Sequence, residues 1–283
     1  MRELSFAELR GKQLEIFLEF VRFCDDNNLT YFLGGGSLLG AIRHKGFIPW
    51  DDDIDVNMPR SDYEKLLEIF SSTKYEIKSV EKGDEKPLFA IIVDKNTKLL
   101  TLDGEEWDMA NGVFIDIFPI DNMSNDSSIR ILTCIFKELI IYCHEGAILS
   151  YIPTKRYKDG TAGIFKWKER IRTLIKYIFI SIFKMSSGRK WGMLANKIAR
   201  IWENKATDWA GCMITMSHYN HGLVEILPRK VFEATIEVEF EGYKVKAPIG
   251  YDDYLRSLYG DYMKLPPKEK RVSHHEFKAY LLE

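Results

Sequence analysis

The sequence predicts an α+β fold, a mixed β-sheet flanked by helices, interrupted by a helical insertion. Three observations predict it. Up to about residue 126, apolar spacing switches repeatedly between a helical period and strand alternation. From roughly 127 to 208 it stays helical, and from about 235 to 247 strand alternation returns. We therefore expect one domain across 1–283, in which 1–126 and 209–283 form the core and its extensions and 127–208 the insertion.

The elements follow in order. Ser5-Phe-Ala-Glu8 is a capping box, and Leu9, Leu14, Phe17, Val21 and Cys24 continue it as a helix of about 20 residues. Leu29–Leu33 reads as a short strand, Gly34-Gly35-Gly36-Ser37 as a turn, and Leu38–Ile42 as a helix. That order can cradle a phosphate, because glycines let backbone N–H groups approach an anion that the helix amino terminus also attracts. Its plain alternative is a tight turn, with Ser37 as a helix N-cap.

Arg43-His44-Lys45 follows, either a set of phosphate contacts or a solvated basic turn, and leads into Trp50-Asp51-Asp52-Asp53-Ile54-Asp55-Val56. On a strand, Asp51, Asp53 and Asp55 would share one face and Asp52, Ile54 and Val56 the other. Such crowding becomes favourable when a divalent cation neutralises it, and oxygen ligands without His or Cys point to Mg²⁺ or Mn²⁺. A solvated acidic turn or a calcium loop is the competing reading.

Ser61-Asp-Tyr-Glu64 is a second capping box for a helix over about 62–71. Strands are expected at Tyr75–Val80, Leu88–Val93 and Leu99–Leu102, and again at Asn111–Pro119, where Asp116 shares a face with Phe114 and Phe118. A carboxylate there is costly unless paired or metal-bound. Asp121, past Pro119, reads as a loop or capping residue. Long helices follow at Ile129–Tyr151, Ile164–Met185 and Lys190–Ala206; the second carries basic residues among apolar ones, as interfacial helices and buried helices with snorkelling lysines both do. Thr235–Phe240 and Tyr243–Ala247 make a hairpin around Glu241-Gly242, and a short helix spans Asp252–Leu258. His274 and His275 sit in a basic tail that either folds over a nucleotide or leaves them as inert terminal histidines.

With 283 residues, 46% of them hydrophobic, the chain can bury a sizeable core. The 40 basic and 42 acidic residues nearly cancel, which argues against nucleic acid as a partner. Cys24, Cys134, Cys143 and Cys212 show no C-x-x-C pair, so a reducing cytoplasm is expected rather than a disulfide framework or zinc site. No secretion signal opens the chain and no run of about 18 uncharged apolar residues occurs, so a soluble protein is expected, with apposition to a membrane as the alternative.

A glycine-serine turn, a downstream Asp-x-Asp and a third Asp on a later strand make a nucleotidyltransferase-like constellation. Asp53 and Asp55 are the expected metal ligands, and Asp116 completes the site as a third ligand or as the base. Gly36 and Ser37 lie at its phosphate end. Phosphoryl transfer needs this positioning and charge stabilisation more than covalent chemistry.

The run from Gly36-Ser37 through Arg43-His44 and Trp50 to Asp55 closely resembles the signature of the LicD family, distantly related to the fukutin group. The resemblance extends through Phe114-Ile-Asp116-Ile-Phe-Pro119, Phe240-Glu241-Gly242, Tyr251-Asp-Asp-Tyr254-Leu and Tyr259-Gly-Asp-Tyr262-Met to His275. It implies a nucleotidyltransferase-like, polymerase-beta-type fold and transfer of phosphocholine from CDP-choline to a sugar hydroxyl, with Mg²⁺ bound and CMP released. By the same resemblance the partners are a CDP-activated small-molecule donor and a glycan or glycolipid acceptor of the cell surface, such as teichoic acid or lipopolysaccharide. Asp53, Asp55 and Asp116 are then the metal and catalytic carboxylates, with Gly36, Ser37, Arg43, His44, His274 and His275 as substrate contacts. A quaternary ammonium would need an aromatic cage, for which Trp50, Trp107 and Tyr219 are candidates. Two other functions remain open: nucleotidyl transfer from a nucleoside triphosphate, and nucleotide binding without catalysis.

Overall fold

In the computed structural model, which describes residues 1–101, 110–148, 182–183, 185–214, 220–271 and 277–282, a short strand β1 (Arg2–Glu3) leads into helix α1 (Phe6–Asp26). The expected capping box is formed: the Ser5 hydroxyl accepts the Glu8 amide at 3.3 Å and the Glu8 carboxylate accepts the Ser5 amide at 2.8 Å. Hydrogen bonds from Ser5 and Arg2 hold the Glu8 carboxyl down at about 2, from an ordinary 4.5. A lowered carboxyl stabilises the fold above its ordinary pKa and loses that contribution as pH falls through the folded-state value. Ser5→Ala removes this N-cap and should lower the urea midpoint at neutral pH. Its gap to wild type should narrow between pH 4.5 and about 2. A gap constant down to pH 3 would dismiss the coupling.

Next come β2 (Phe32–Leu33), α2 (Gly35–His44), β3 (Asp55–Pro59), α3 (Arg60–Ile69), β4 (Tyr75–Lys78), β5 (Ala90–Asp94), β6 (Thr97–Thr101) and β7 (Phe114–Met123). Helices α4 (Ser127–Ile148) and α5 (Gly188–Ala199) pack together. Then follow β8 (Trp209–Cys212), β9 (Ile226–Pro228), the hairpin β10 (Thr235–Phe240) and β11 (Tyr243–Pro248), α6 (Tyr251–Tyr259) and β12 (Phe277–Leu281).

The mixed sheet and its flanking helices are as expected. Its main path is β2-β3-β7-β5-β4, with β3 and β7 parallel and the other neighbours antiparallel. From Ile120 to Met123 the antiparallel partner of β7 is β8, which in turn pairs with β9. Strand β6 joins β1 and β12 in a separate sheet. The main core gathers Phe17, Phe20, Ile54, Val56, Ile115, Ile117 and Phe240, while a smaller cluster around Met123, Ile141 and Ala195 sits under α4 and α5.

Several boundaries differ from the sequence reading. The acidic run is not one strand, because β3 begins only at Asp55. Side chains of α1 take the carbonyls a neighbouring strand would need. Arg10 donates to Asp51 O at 2.6 Å and to Ile48 O at 2.5 Å, and Gln13 donates to Asp52 O at 2.6 Å. The Ser61–Glu64 capping box does not form; α3 starts at Arg60, with Pro59 as its N-cap and no side-chain cap bond. Arg60 is drawn inward onto Asp121, which brings the helix start forward and leaves Ser61 inside the first turn. Asp121 is likewise no loop residue but lies buried in β7, which runs past Pro119 to Met123. The expected helix over 190–206 becomes α5 and a 3₁₀ turn at Arg200–Trp202.

The expected helix 164–185 lies largely outside the described residues. Among the described residues no helix is long and apolar enough to cross a membrane, although Leu132, Phe136 and Leu139 on α4 are each more than half exposed.

Candidate functional site

Asp55 is the residue around which the site closes. Its backbone N–H donates to Ser37 Oγ at 2.8 Å, its carbonyl accepts the Gly34 N–H at 3.0 Å, and its Oδ2 accepts the Gly36 N–H at 3.2 Å. The Gly34–Ser37 run thus wraps one strand residue. Helix α2 begins at Gly35, so Gly34 is the N-cap and Ser37 stands in the first turn, which removes the N-cap alternative for Ser37. Glycine is needed here for space. A Cβ on Gly36 would lie 2.6 Å from Asp51 Oδ2, and one on Gly35, whose φ is +42°, would collide with the Asp55 carboxylate.

Asp116 joins from the neighbouring strand. It is the direct register partner of Asp55 in the parallel pair β3–β7, so the two side chains leave the sheet on one face. The alternation expected for the acidic run holds despite its irregular backbone: Asp52, Ile54 and Val56 are buried, and Asp51, Asp53 and Asp55 are only partly so. Burial first, then the charges of Asp53, Asp116 and Asp51, push the Asp55 carboxyl well above its ordinary range, and the Gly36 amide works the other way. Asp53 and Asp116 thus both bear on the Asp55 carboxyl.

The donor set fits a hard divalent cation in kind, since it offers oxygen only and is mutually repelling. Among the described residues, however, no three His, Cys, Asp or Glu side chains stand close enough to hold a metal ion as they are. A cation would have to draw them in.

The basic residues are elsewhere on the same helix. Arg43 and His44 form the last turn of α2, about 10 Å along its axis from Gly36 at 1.5 Å per residue. Arg43 donates to Tyr262 O at 2.7 Å and, through Nε, to His44 Nε2 at 2.9 Å. Burial and the Arg43 charge lower the His44 pKa, in keeping with a neutral ring that accepts this bond. His274 and His275, with Trp107 and Tyr219, lie outside the described residues. Trp50 is described, but the Arg271 guanidinium already lies 5.6 Å from its ring centre, which leaves that face a poor place for a second cation.

Sequence reasoning missed the braces around these groups. Arg10 and Gln13 sit three residues apart on α1, the spacing that puts both on one face toward the acidic run. Glu241, at the tip of the β10–β11 hairpin, accepts the Phe47 N–H at 2.9 Å, and its own N–H donates to Lys45 O at 2.9 Å. Tyr254 of α6 accepts the Gly35 N–H at 3.2 Å. The carboxy-terminal motifs thus grip the loop and helix that flank Asp55. Their separation in sequence, about 200 residues, hid this.

Three comparisons bear on the site. Residues 28–138, which include Gly34–Ser37, Asp53, Asp55 and Asp116, match the family model described as LicD/FKTN/FKRP, nucleotidyltransferase domain. Over the whole chain and the whole of the relative, the sequence is 31% identical to the lipopolysaccharide cholinephosphotransferase LicD of Haemophilus influenzae. An uncharacterized protein of Rickettsia typhi is 28% identical over 49% of this chain and 36% of its own length.

Proposed function

Because the chain belongs to the LicD family, we propose that it is a transferase that moves phosphocholine, or a similar phospho-alcohol, from a CDP-activated donor to a sugar hydroxyl of a cell-surface glycan or glycolipid precursor. The observation that carries this reading is Asp55, wrapped by Gly34–Ser37 and in register with Asp116. A helix amino terminus rich in glycine suits a diphosphate, and paired carboxylates beside it suit the reacting end. The full-length likeness to a lipopolysaccharide cholinephosphotransferase supports choline as the alcohol and lipopolysaccharide as the acceptor class. A lipid-linked acceptor would bring the chain to the inner face of the membrane.

Asp53, Asp55 and Asp116 would hold Mg²⁺ or Mn²⁺, which when bound supplies neutralising charge for the diphosphate and for departing CMP. The first turn of α2 orients the donor's phosphates. The acceptor oxygen forms a bond to the phosphorus that carries choline, and the bond from that phosphorus to the bridging oxygen breaks. The electron pair leaves with CMP, and the acceptor's proton passes to a carboxylate of the cluster, Asp116 in our assignment. Little covalent chemistry falls to the protein, so its task is alignment.

The test is incubation with CDP-choline, Mg²⁺ and a lipopolysaccharide precursor, with CMP and phosphocholine-bearing glycan measured together. CDP-ribitol and CDP-glycerol in parallel decide the alcohol. Absence of CMP from every donor would overturn the reading, and pyrophosphate release from a nucleoside triphosphate would replace it with nucleotidyl transfer.

A further inference from the structure

We propose that Tyr254, together with Asn57, is a positioning residue for the phosphate end of this site, holding the Gly35 amide and with it the first turn of α2 in the orientation that meets an anion. The inference rests on the functional reading above, in which that turn receives the donor's phosphates.

Tyr254 projects from α6 and is only 4% exposed. Its hydroxyl oxygen accepts two hydrogen bonds, from the Gly35 N–H at 3.2 Å and from Asn57 Nδ2 at 3.3 Å. Asn57 lies two residues beyond Asp55 on β3, hence on the same face of the sheet. It also abuts the glycine turn, since a Cβ on Gly34 would lie 2.5 Å from its Nδ2. The start of α2 is thereby indexed against two rungs of one strand, with Asp55 on Gly36 and Asn57 with Tyr254 on Gly34 and Gly35.

This arrangement has a use at Gly35. The first amides of a helix have no partner within it, and a glycine at positive φ has no side chain to hold it in place. The acceptor supplied from α6 is a phenol and not another carboxylate. Burial keeps it protonated by pushing its pKa above the ordinary value, so it steadies the amide without adding negative charge where a phosphate would arrive.

Tyr254→Phe tests the role, because it removes one oxygen and keeps the ring edge-on to Phe232 at 6.1 Å. Tyr63→Phe is the matched control, a buried tyrosine whose hydroxyl bonds Glu81 at 3.0 Å away from the glycine turn. Amide hydrogen exchange over Gly34–Ser37 should quicken about tenfold in Tyr254→Phe and stay unchanged in Tyr63→Phe, as loss of one buried hydrogen bond implies. The Kd for CDP-choline with Mg²⁺ should rise about tenfold in the first variant only, while kcat changes less than about threefold. Asn57→Ala should shift both readouts the same way, which keeps the test open if Tyr254→Phe folds poorly. Unchanged exchange and affinity in both variants would overturn the positioning role. A wild-type protein that does not bind CDP-choline would overturn the donor reading instead, and the ligand assigned to this turn with it.

Discussion

Asp55→Asn should lower the proposed transfer by about a thousandfold or more and leave the protein folded, with a thermal midpoint in metal-free buffer equal to or above that of wild type. The rate loss follows from removing a charged oxygen from the reacting end of the site, where about 4 kcal/mol of transition-state stabilisation corresponds to that factor. The stability gain follows from relieving repulsion. Asp55 is held well above its ordinary 3.8 by burial and by Asp53, Asp116 and Asp51, so its ionised form is the strained one. A raised carboxyl favours the fold most below its ordinary pKa, and that contribution is lost as pH climbs through the folded-state value. The variant's advantage should therefore grow as pH rises and shrink toward the ordinary 3.8. Asparagine keeps an oxygen for the Gly36 amide, so the wrapped turn survives. Transfer within tenfold of wild type would remove Asp55 from the reacting end, and a midpoint several degrees lower at neutral pH would refute the repulsion.

Much of this site is visible in the bare sequence, for a definite reason. Strand alternation is local, so Ile54 and Val56 declare which way Asp53 and Asp55 face even where the backbone is not a ladder strand. The apolar run 113–119 likewise marks Asp116 as an intruder on a buried strand. What local spacing cannot carry is register between strands distant in sequence. That Asp55 stands opposite Asp116 and not opposite Phe114 is set by the parallel pairing of β3 with β7, whose strands lie about 60 residues apart in the chain.

Capping boxes show the same limit. Ser5-x-x-Glu8 forms with a local partner, Arg2, that assists it by donating to the other Glu8 oxygen. Ser61-x-x-Glu64 has equal local credentials and fails, because a long-range partner captures the residue before it. Arg10, Gln13, Glu241 and Tyr254 were unreadable on similar grounds. Each acts on a backbone group, and backbone groups leave no mark in the sequence of the segment they belong to.

The capture of Arg60 carries the largest expected loss of stability. Its guanidinium forks onto Asp121 at 2.7 and 2.8 Å, reaches Asn196 Oδ1 at 3.2 Å and lies 3.6 Å from Glu81, whose other oxygen accepts the Tyr63 hydroxyl at 3.0 Å. Arg60 and Asp121 are 5% and 2% exposed. Burial disfavours the guanidinium charge, yet Asp121 more than compensates, so the Arg60 pKa lies above its ordinary value. The pair ties the start of α3 to β7 and, through Asn196, to α5. Arg60→Ala strands the buried Asp121 carboxylate beside the half-buried Glu81 and should cost about 3–5 kcal/mol in urea unfolding. Asp121→Leu alone should cost a similar amount, since it strands the guanidinium. Combined as Arg60→Met with Asp121→Leu, the loss should be far smaller than the sum, because an apolar pair of similar volume restores packing without buried charge. A double variant as unstable as the sum of the single ones would mean that the pair contributes through shape and not through charge. A loss below about 1 kcal/mol for Arg60→Ala would mean that water reaches the carboxylates freely enough to replace it.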